Sequence, residues 1–329
     1  MLSTASFLSL LGLALATSVP QFQFVQEWNM WKGMHQKSYQ NDLEELDRHT
    51  VWLSNKKYIE AHNQNSHVFG FTLAMNHFAD LTDQEWTEKF VTHVSDTAGN
   101  YTKYYEPNQF KSYPDTVDWR TKDAVTKVKD QSQCGASYAF SAVGALEGAN
   151  ALATGSLSVL SEQNIIDCSV PYGNHGCKGG NMLYAFKYII ANDGLDVAKS
   201  YPFQGKQQSC VYDDQDTGGK ISGMVRIKQG SESDLIGAVA NVGPVSVAID
   251  GSSNAFRFYA SGVYDSSRCS SSKLNHAMVV TGYGTYGGKD YWLVKNSWGT
   301  NWGQSGYIMM ARGKYNQCGI ASDACYPTL

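Results

Sequence analysis

The sequence predicts an α+β protein of two lobes, helical first and sheet second, preceded by a helical N-terminal unit. Three observations carry this. Residues 20–90 are rich in helix formers and in aromatics at helical spacing, residues 113–220 remain helical in pattern, and beyond residue 220 the chain turns to short β-rich runs punctuated by glycine. The length of 329 residues also exceeds one average domain and suits two or more units.

Phe7 to Ala16 is a short apolar run ending in the small residues around Ala14-Leu15-Ala16-Thr17-Ser18. It reads as a secretory signal peptide over residues 1–18, cleaved near 17 or 18, although its first residues carry no Lys or Arg. The run is too short to span a bilayer, and no other stretch is long and apolar enough, so no membrane span is expected. Next, Phe24, Trp28 and Trp31 keep helical spacing, as do Leu46, Val51, Leu53 and Tyr58. Glu44 and Arg48 stand one turn apart, where they can pair. Residues 91–112 are polar and turn-rich, the composition of an exposed linker open to cleavage. Asn100-Tyr101-Thr102 within it is a glycosylation sequon.

Phe140, Val143, Leu146 and Ala149 then mark a long helix closed by Gly155. Ser137 falls in its first turn, where backbone N–H groups lack partners and the helix dipole is positive. Developing negative charge is favoured there. Ser161 is positioned to cap a short helix after Leu160, and Asn181 to Ile190 continues the helical part. Strands are expected at Val245–Ile249, Ala277–Tyr283, Asp290–Val294 and Gly306–Met310.

Charge narrows the function classes. Residues 19–112 hold 8 Lys+Arg against 12 Asp+Glu, and residues 113–329 hold 18 of each. No basic run supports nucleic-acid binding, and near-neutrality removes a repulsive barrier to self-association. Seven cysteines in a secreted chain suggest disulfides with one cysteine left over. No cysteine pair has zinc-ligand spacing with nearby histidines, so no metal site is expected.

Several motifs carry a family resemblance. Glu44, Arg48, Trp52, Asn55, Ile59 and Asn63 resemble the interspersed motif of cathepsin L-type propeptides, with Trp52 for the usual phenylalanine. Ala74-Met75-Asn76-His77-Phe78-Ala79-Asp80 resembles the second propeptide motif, with alanine for its first glycine. Tyr113 to Arg120 resembles the start of a mature papain-like enzyme, and Cys134-Gly135-Ala136-Ser137-Tyr138 resembles the C-G-[SA]-C-[WY] nucleophile segment of papain-like cysteine proteases. The resemblance covers the chain after the signal peptide. It implies a helical inhibitory propeptide over residues 19–112 and a mature two-lobed papain-like fold over residues 113–329, with the active cleft between the lobes. It further implies the disulfides Cys134–Cys177, Cys168–Cys210 and Cys269–Cys318, with Cys325 unpaired, and no cofactor. A secreted or extracellular destination through secretory vesicles follows, or a lysosome-like compartment.

The resemblance assigns site residues one by one. Ser137 takes the nucleophile position, His276 in Leu274-Asn275-His276-Ala277-Met278 the general-base position, and Asn296 in Lys295-Asn296-Ser297-Trp298-Gly299 the orienting position. Gln131 and the Ser137 N–H take the oxyanion-hole positions. Gly179, Gly180, Asn181 and Met182 match the cleft wall that receives peptide side chains, with Asn181 more polar than the usual leucine. Trp298 and Trp302 match the aromatic roof over Asn296.

Serine in place of the nucleophilic cysteine is the central departure, because a serine hydroxyl forms no resting ion pair with imidazole. The Ala-Ser-Tyr form resembles the silicateins, cathepsin L relatives of sponge silica spicules. That resemblance implies condensation of silicic acid or silicon alkoxides, with His276 as base and a rate limb near its ordinary pKa of about 6.5. It also implies self-assembly into filaments. The hydroxyl-rich stretch Ser266-Ser267-Arg268-Cys269-Ser270-Ser271-Ser272-Lys273 would bring silanol-binding groups close to His276. Two alternatives stand beside this reading: a papain-like peptidase that uses serine, and a catalytically silent scaffold.

Overall fold

The computed structural model describes residues 18–92, 103–107 and 112–329, with side chains from Phe24 onward. Residues 1–17 of the expected signal peptide, the sequon at Asn100 and residues 108–111 of the expected cleavage region lie outside the described residues.

The N-terminal unit contains α1 (Ser18–Met34), α2 (Asp42–Asn63), α3 (Ser66–Phe69), β1 (Phe71–Leu73) and α4 (Asp83–Phe90). Its buried face differs from the apolar spacing. Trp52, Asn55 and Ile59 are the buried residues of α2, whereas Leu46 is exposed, as is Phe24 on α1. Trp28 stacks on Trp31 and meets Trp52 edge-on, so indole rings fill the space that leucines would otherwise take. Asn55 is buried because its amide donates to the carbonyls of Ala79 and Leu81, which ties α2 to the chain ahead of α4.

Arg48 does not pair with Glu44. Its guanidinium makes a fork to both oxygens of Glu85, at 2.6 and 2.7 Å, while Glu44 accepts from Gln40 N–H. Glu85 also completes a capping box with Thr82 at the start of α4. A bidentate partner on a neighbouring helix prevails over a one-turn surface pair. The Arg48 bond, more than any other contact, holds the Glu85 carboxyl down at about 2. A carboxylate lowered in this way stabilises the fold above its unfolded pKa, and the contribution is lost as pH falls through about 2. Arg48→Met should therefore cost about 1–2 kcal/mol of propeptide stability at neutral pH. Urea unfolding followed at Trp28 and Trp52 should show that difference shrinking as pH falls from about 4.5, Glu85 becoming protonated in the unfolded state first. An undiminished difference in acid would show that Arg48 acts by packing alone.

The helical lobe follows β2 (Val117–Asp118) and consists of α5 (Ser137–Thr154), α6 (Glu162–Cys168) and α7 (Met182–Ala191), with β3 (Leu195–Asp196) pairing β4 (Thr217–Gly219). α5 is buried on nearly every side and ends at Gly155 in the left-handed region. Ser161 caps α6 by accepting from Asn164 N–H. The sheet lobe contains β5 (Gly223–Arg226), α8 (Glu232–Asn241), β6 (Val245–Ile249), α9 (Asn254–Arg257), β7 (Tyr259–Tyr264), β8 (His276–Tyr286), β9 (Lys289–Lys295), β10 (Tyr307–Ala311) and β11 (Asp323–Thr328). Among the described residues the sheet runs β1-β7-β10-β9-β8-β6-β11-β5, with β2 added to β8. Its outermost strand on one side is β1 of the N-terminal unit, antiparallel to β7.

The core divides accordingly. One apolar cluster joins α5, α6 and α7, and a second joins the sheet lobe to the N-terminal aromatics. The second cluster encloses Arg257, which is fully buried. Its guanidinium donates to the carbonyls of Phe78 and Leu81, reaches Asp83 at 3.3 Å and lies over the rings of Trp86 and Phe258. Disulfides close at Cys134–Cys177, Cys168–Cys210 and Cys269–Cys318, and Cys325 is free and buried. Among the described residues no helix is long and apolar enough to cross a membrane.

Candidate active site

Ser137 opens α5, and His276 opens β8, so a helix and a strand deliver these two residues to the boundary between the lobes. The Ser137 hydroxyl accepts from the N–H of Ala277, the residue after His276, at 3.2 Å. Asn296 follows the last residue of β9. β8 and β9 pair antiparallel with Val279 opposite Lys295, which sets Asn296 beside His276.

The hydrogen bonds fix the imidazole tautomer. Asn296 Oδ1 accepts from Ser297 N–H at 2.8 Å, so the amide oxygen faces His276. His276 Nε2, at 2.8 Å from the same oxygen, must then carry a proton. That leaves Nδ1 with a lone pair, buried and without a hydrogen-bond partner among the described residues. A base with this tautomer can take a proton from a neighbouring hydroxyl. In resting enzymes such bonds are commonly long and tighten only with substrate.

His276 is fully buried, stacked on Trp298 at 4.4 Å and edge-on to Phe256. Removal from water disfavours imidazolium and lowers its pKa to about 4, while the Asn296 bond raises it in part. In the full chain, with the N-terminal unit in place, the ring is thus held below the ordinary histidine value. A nitrogen-15 titration of the His276 ring in the full chain should show its midpoint at about 4. Asn296→Ala should move it lower still, since the one raising contact is lost. A midpoint at the ordinary value would mean that water reaches the ring.

Gln131 is fully buried and anchored at three points. Its N–H donates to Ser297 O, its Oε1 accepts from Ser297 Oγ at 2.6 Å, and its Nε2 donates to Cys134 O at 2.9 Å. The Nε2 group carries a second proton beyond that bond. Gly135 must be glycine here: an added Cβ would lie 2.6 Å from Cys177 O and 2.1 Å from a methyl of Thr92. Thr92 also donates its hydroxyl to Gly135 O. The N-terminal unit thus reaches the loop ahead of Ser137 and covers it.

Gly180 packs on Tyr138, whose hydroxyl donates to Gly176 O. Asn181 directs its polarity inward rather than into an open wall. Its Oδ1 accepts from Leu183 N–H as the cap of α7, and its Nδ2 donates to Asp323 at 2.9 Å. Met182 is fully buried. Trp302 meets Trp298 edge-on and donates to Arg257 O, so both indoles are core as much as roof. The serine-rich stretch is fixed: Ser270 N–H donates to Asp250, and Cys269 is bonded to Cys318. Ser267, Ser271 and Ser272 remain exposed. Two functional neighbours escaped the sequence reading. Ser297 orders both Asn296 and Gln131, and Asp250 orders the serine loop. Only the adjacency of Ser297 to Asn296 could have signalled the first.

Comparison with known proteins identifies the family. Residues 113–328 match the papain family of cysteine proteases, and residues 28–86 match the cathepsin propeptide inhibitor domain. The chain is 50% identical to a silicatein of Petrosia ficiformis, covering 93% of this chain and 95% of that one. It is 44% identical to digestive cysteine proteinase 2 of Homarus americanus, covering 97% and 98% respectively. Among solved structures, the digestive procathepsin L 3 of Tenebrio molitor is 40% identical with a TM-score of 0.88, over 93% of this chain and 99% of that one. With both matches in chain order and the two-lobed fold around them, this chain belongs to the papain family, in its cathepsin L-like branch, and carries a propeptide of the cathepsin inhibitor type.

Proposed function

We propose that the chain is a secreted, silicatein-like enzyme that condenses silicic acid or silicon alkoxides into silica and assembles into filaments. The signal peptide would span residues 1–18, the propeptide 19–112 and the mature enzyme 113–329. The observation that supports the reading is serine at position 137, opening α5, together with His276 hydrogen-bonded to Asn296 and a buried Gln131 tied to Ser297. Similarity to the Petrosia silicatein supports it. Random decay of a peptidase would have no reason to spare the histidine, its tautomer-fixing amide and the buried glutamine together.

The chemistry follows from the atoms. His276 Nδ1 takes the Ser137 proton as Oγ adds to silicon, which accepts a fifth ligand. The imidazolium returns the proton to the departing water or alcohol, leaving Ser137–O–Si. A silanol then attacks that silicon, giving its proton to His276 Nδ1, and the siloxane bond forms as the Ser137 Oγ–Si bond breaks and Oγ takes the proton back from the imidazolium. Asn296 is neutral and stabilises imidazolium less than a carboxylate does. That weak support suits oxygen leaving groups better than an amide nitrogen. The exposed hydroxyls of Ser267, Ser271 and Ser272 would hydrogen-bond silanols. The deciding experiment compares silica formation by the mature protein with its Ser137→Ala and His276→Ala variants.

The cathepsin-type relatives favour a papain-like peptidase, which in this chain would have to work through Ser137. Hydrolysis of a peptidyl amide by the unmodified mature protein, abolished by Ser137→Ala, would establish it instead.

A further inference from the structure

Behind the reactive residues lie four charges that the proposed chemistry does not use. Lys129, Glu147, Glu162 and Lys295 line a cavity of ≈ 20 Å³ that Asn296 and Ala277 also border. Glu147 belongs to α5, the helix that begins at Ser137, and Lys295 ends β9, one residue before Asn296. Glu147 is 1% exposed and Lys295 7%. Burying charge is unfavourable unless it is paired, so this placement needs a reason.

The bonds form a chain across the two lobes. Lys295 Nζ donates to Thr126 Oγ1 at 2.9 Å, and Thr126 donates onward to Glu147 Oε2 at 2.6 Å. Lys129 bridges Glu147 and Glu162 at 2.7 and 2.5 Å. On the other side of Asn296, Ser297 donates to Gln131. Residues 295 to 297 are therefore tied to the Ser137 side of the cleft both before and after Asn296. We propose that Lys295 is a positioning residue: through Thr126 and Glu147 it clamps the end of β9 to α5, and so holds Asn296 and His276 in register with Ser137.

Charge makes the clamp conditional. With Lys295 neutral, Lys129 is the one ammonium left beside Glu147 and Glu162, and burial pushes the Glu162 carboxyl up. The groups facing Lys295 are Thr126, Lys129, Glu147 and Glu162, and burial lowers its own pKa to about 8. The clamp is complete below that pH and weakens above it. Small misplacement of a base relative to its nucleophile is costly to rate. The inference rests on the reading of Ser137, His276 and Asn296 as one site.

Two measurements on the mature protein test it, each with Lys295→Met and Lys295→Arg. In nitrogen-15 spectra, the parent His276 should hold the Nε2-protonated tautomer from above its own titration up to pH 8 and lose that uniformity above it. Lys295→Met should show the mixed state at every pH, and Lys295→Arg the ordered state throughout. In a Ser137→Cys background, Lys295→Met should lower kcat for a peptidyl amide about tenfold with KM unchanged. Lys295→Arg should restore the rate and abolish the decline above pH 8. A folded Lys295→Met protein with the parent's His276 spectrum and pH profile would reduce the cluster to ordinary packing. Should Lys295→Met not fold, a parent spectrum that is unchanged on crossing pH 8 overturns the proposal equally. Loss of amide hydrolysis in Ser137→Cys itself would count against the site reading, and the spectra would still decide the clamp.

Discussion

Mature protein carrying Ser137→Ala, His276→Ala, or both, should form siloxane bonds at one common low rate, about 100-fold or more below the parent. Losses within a catalytic unit do not add, because either change removes the same step. Once the hydroxyl is gone the imidazole has no proton to take, and once the imidazole is gone the hydroxyl stays protonated. The fully buried His276 ring and its 2.8 Å bond to Asn296 make this coupling specific to one tautomer. A templating surface behaves differently. There Ser137→Ala removes one hydroxyl that is 1% exposed, and replacing the exposed Ser267, Ser271 and Ser272 with alanine should matter more. Initial rates from a silicon alkoxide, measured across pH, separate the two. If both single variants keep the parent rate while the triple serine variant loses it, the protein is a scaffold and Ser137 is a relic.

What the sequence revealed and what it hid divide along a physical line. The ends of α5 and α6 were legible because Gly155 and Ser161 act on their own neighbours. Four strands of the sheet lobe were legible because short β-rich runs punctuated by glycine are a local signal. The site was legible through short motifs, whose members the fold brings together across 140 residues in the case of Ser137 and Ala277. The buried face of α2 was not, since indole packing among Trp28, Trp31 and Trp52 depends on partners outside the helix. Arg48 was assigned a neighbour one turn away, yet its carboxylate lay 37 residues on. Nothing in the local sequence marks Arg257 and Lys295 as buried. Their burial follows from partners in another lobe or in the propeptide, which no local pattern announces. The inward turn of Asn181 toward Asp323, 142 residues distant, has the same origin.

Ser137→Cys should convert the mature protein into a peptidase, with hydrolysis of a dipeptidyl fluorogenic amide rising from background by about 100-fold or more. The rest of the site is already built for a thiolate. The residue stands at the N-terminus of α5, where helix polarity favours an anion. His276 Nδ1 offers its lone pair, and a thiolate beside it would raise the low imidazole pKa by stabilising imidazolium. Gln131 retains an N–H for the tetrahedral oxygen. Once the imidazolium has protonated the amine and the amine has left, water attacks the thioester, and the thiolate departs from that second intermediate more readily than a serine alkoxide would. The gain should appear only after the propeptide is removed, because Thr92 lies on Gly135 in the full chain. It should require His276, so Ser137→Cys combined with His276→Ala should return to background. A well-folded Ser137→Cys protein that binds but does not cleave the amide would place the divergence in the cleft, with the inward-turned Asn181 and its Asp323 partner the first residues to change.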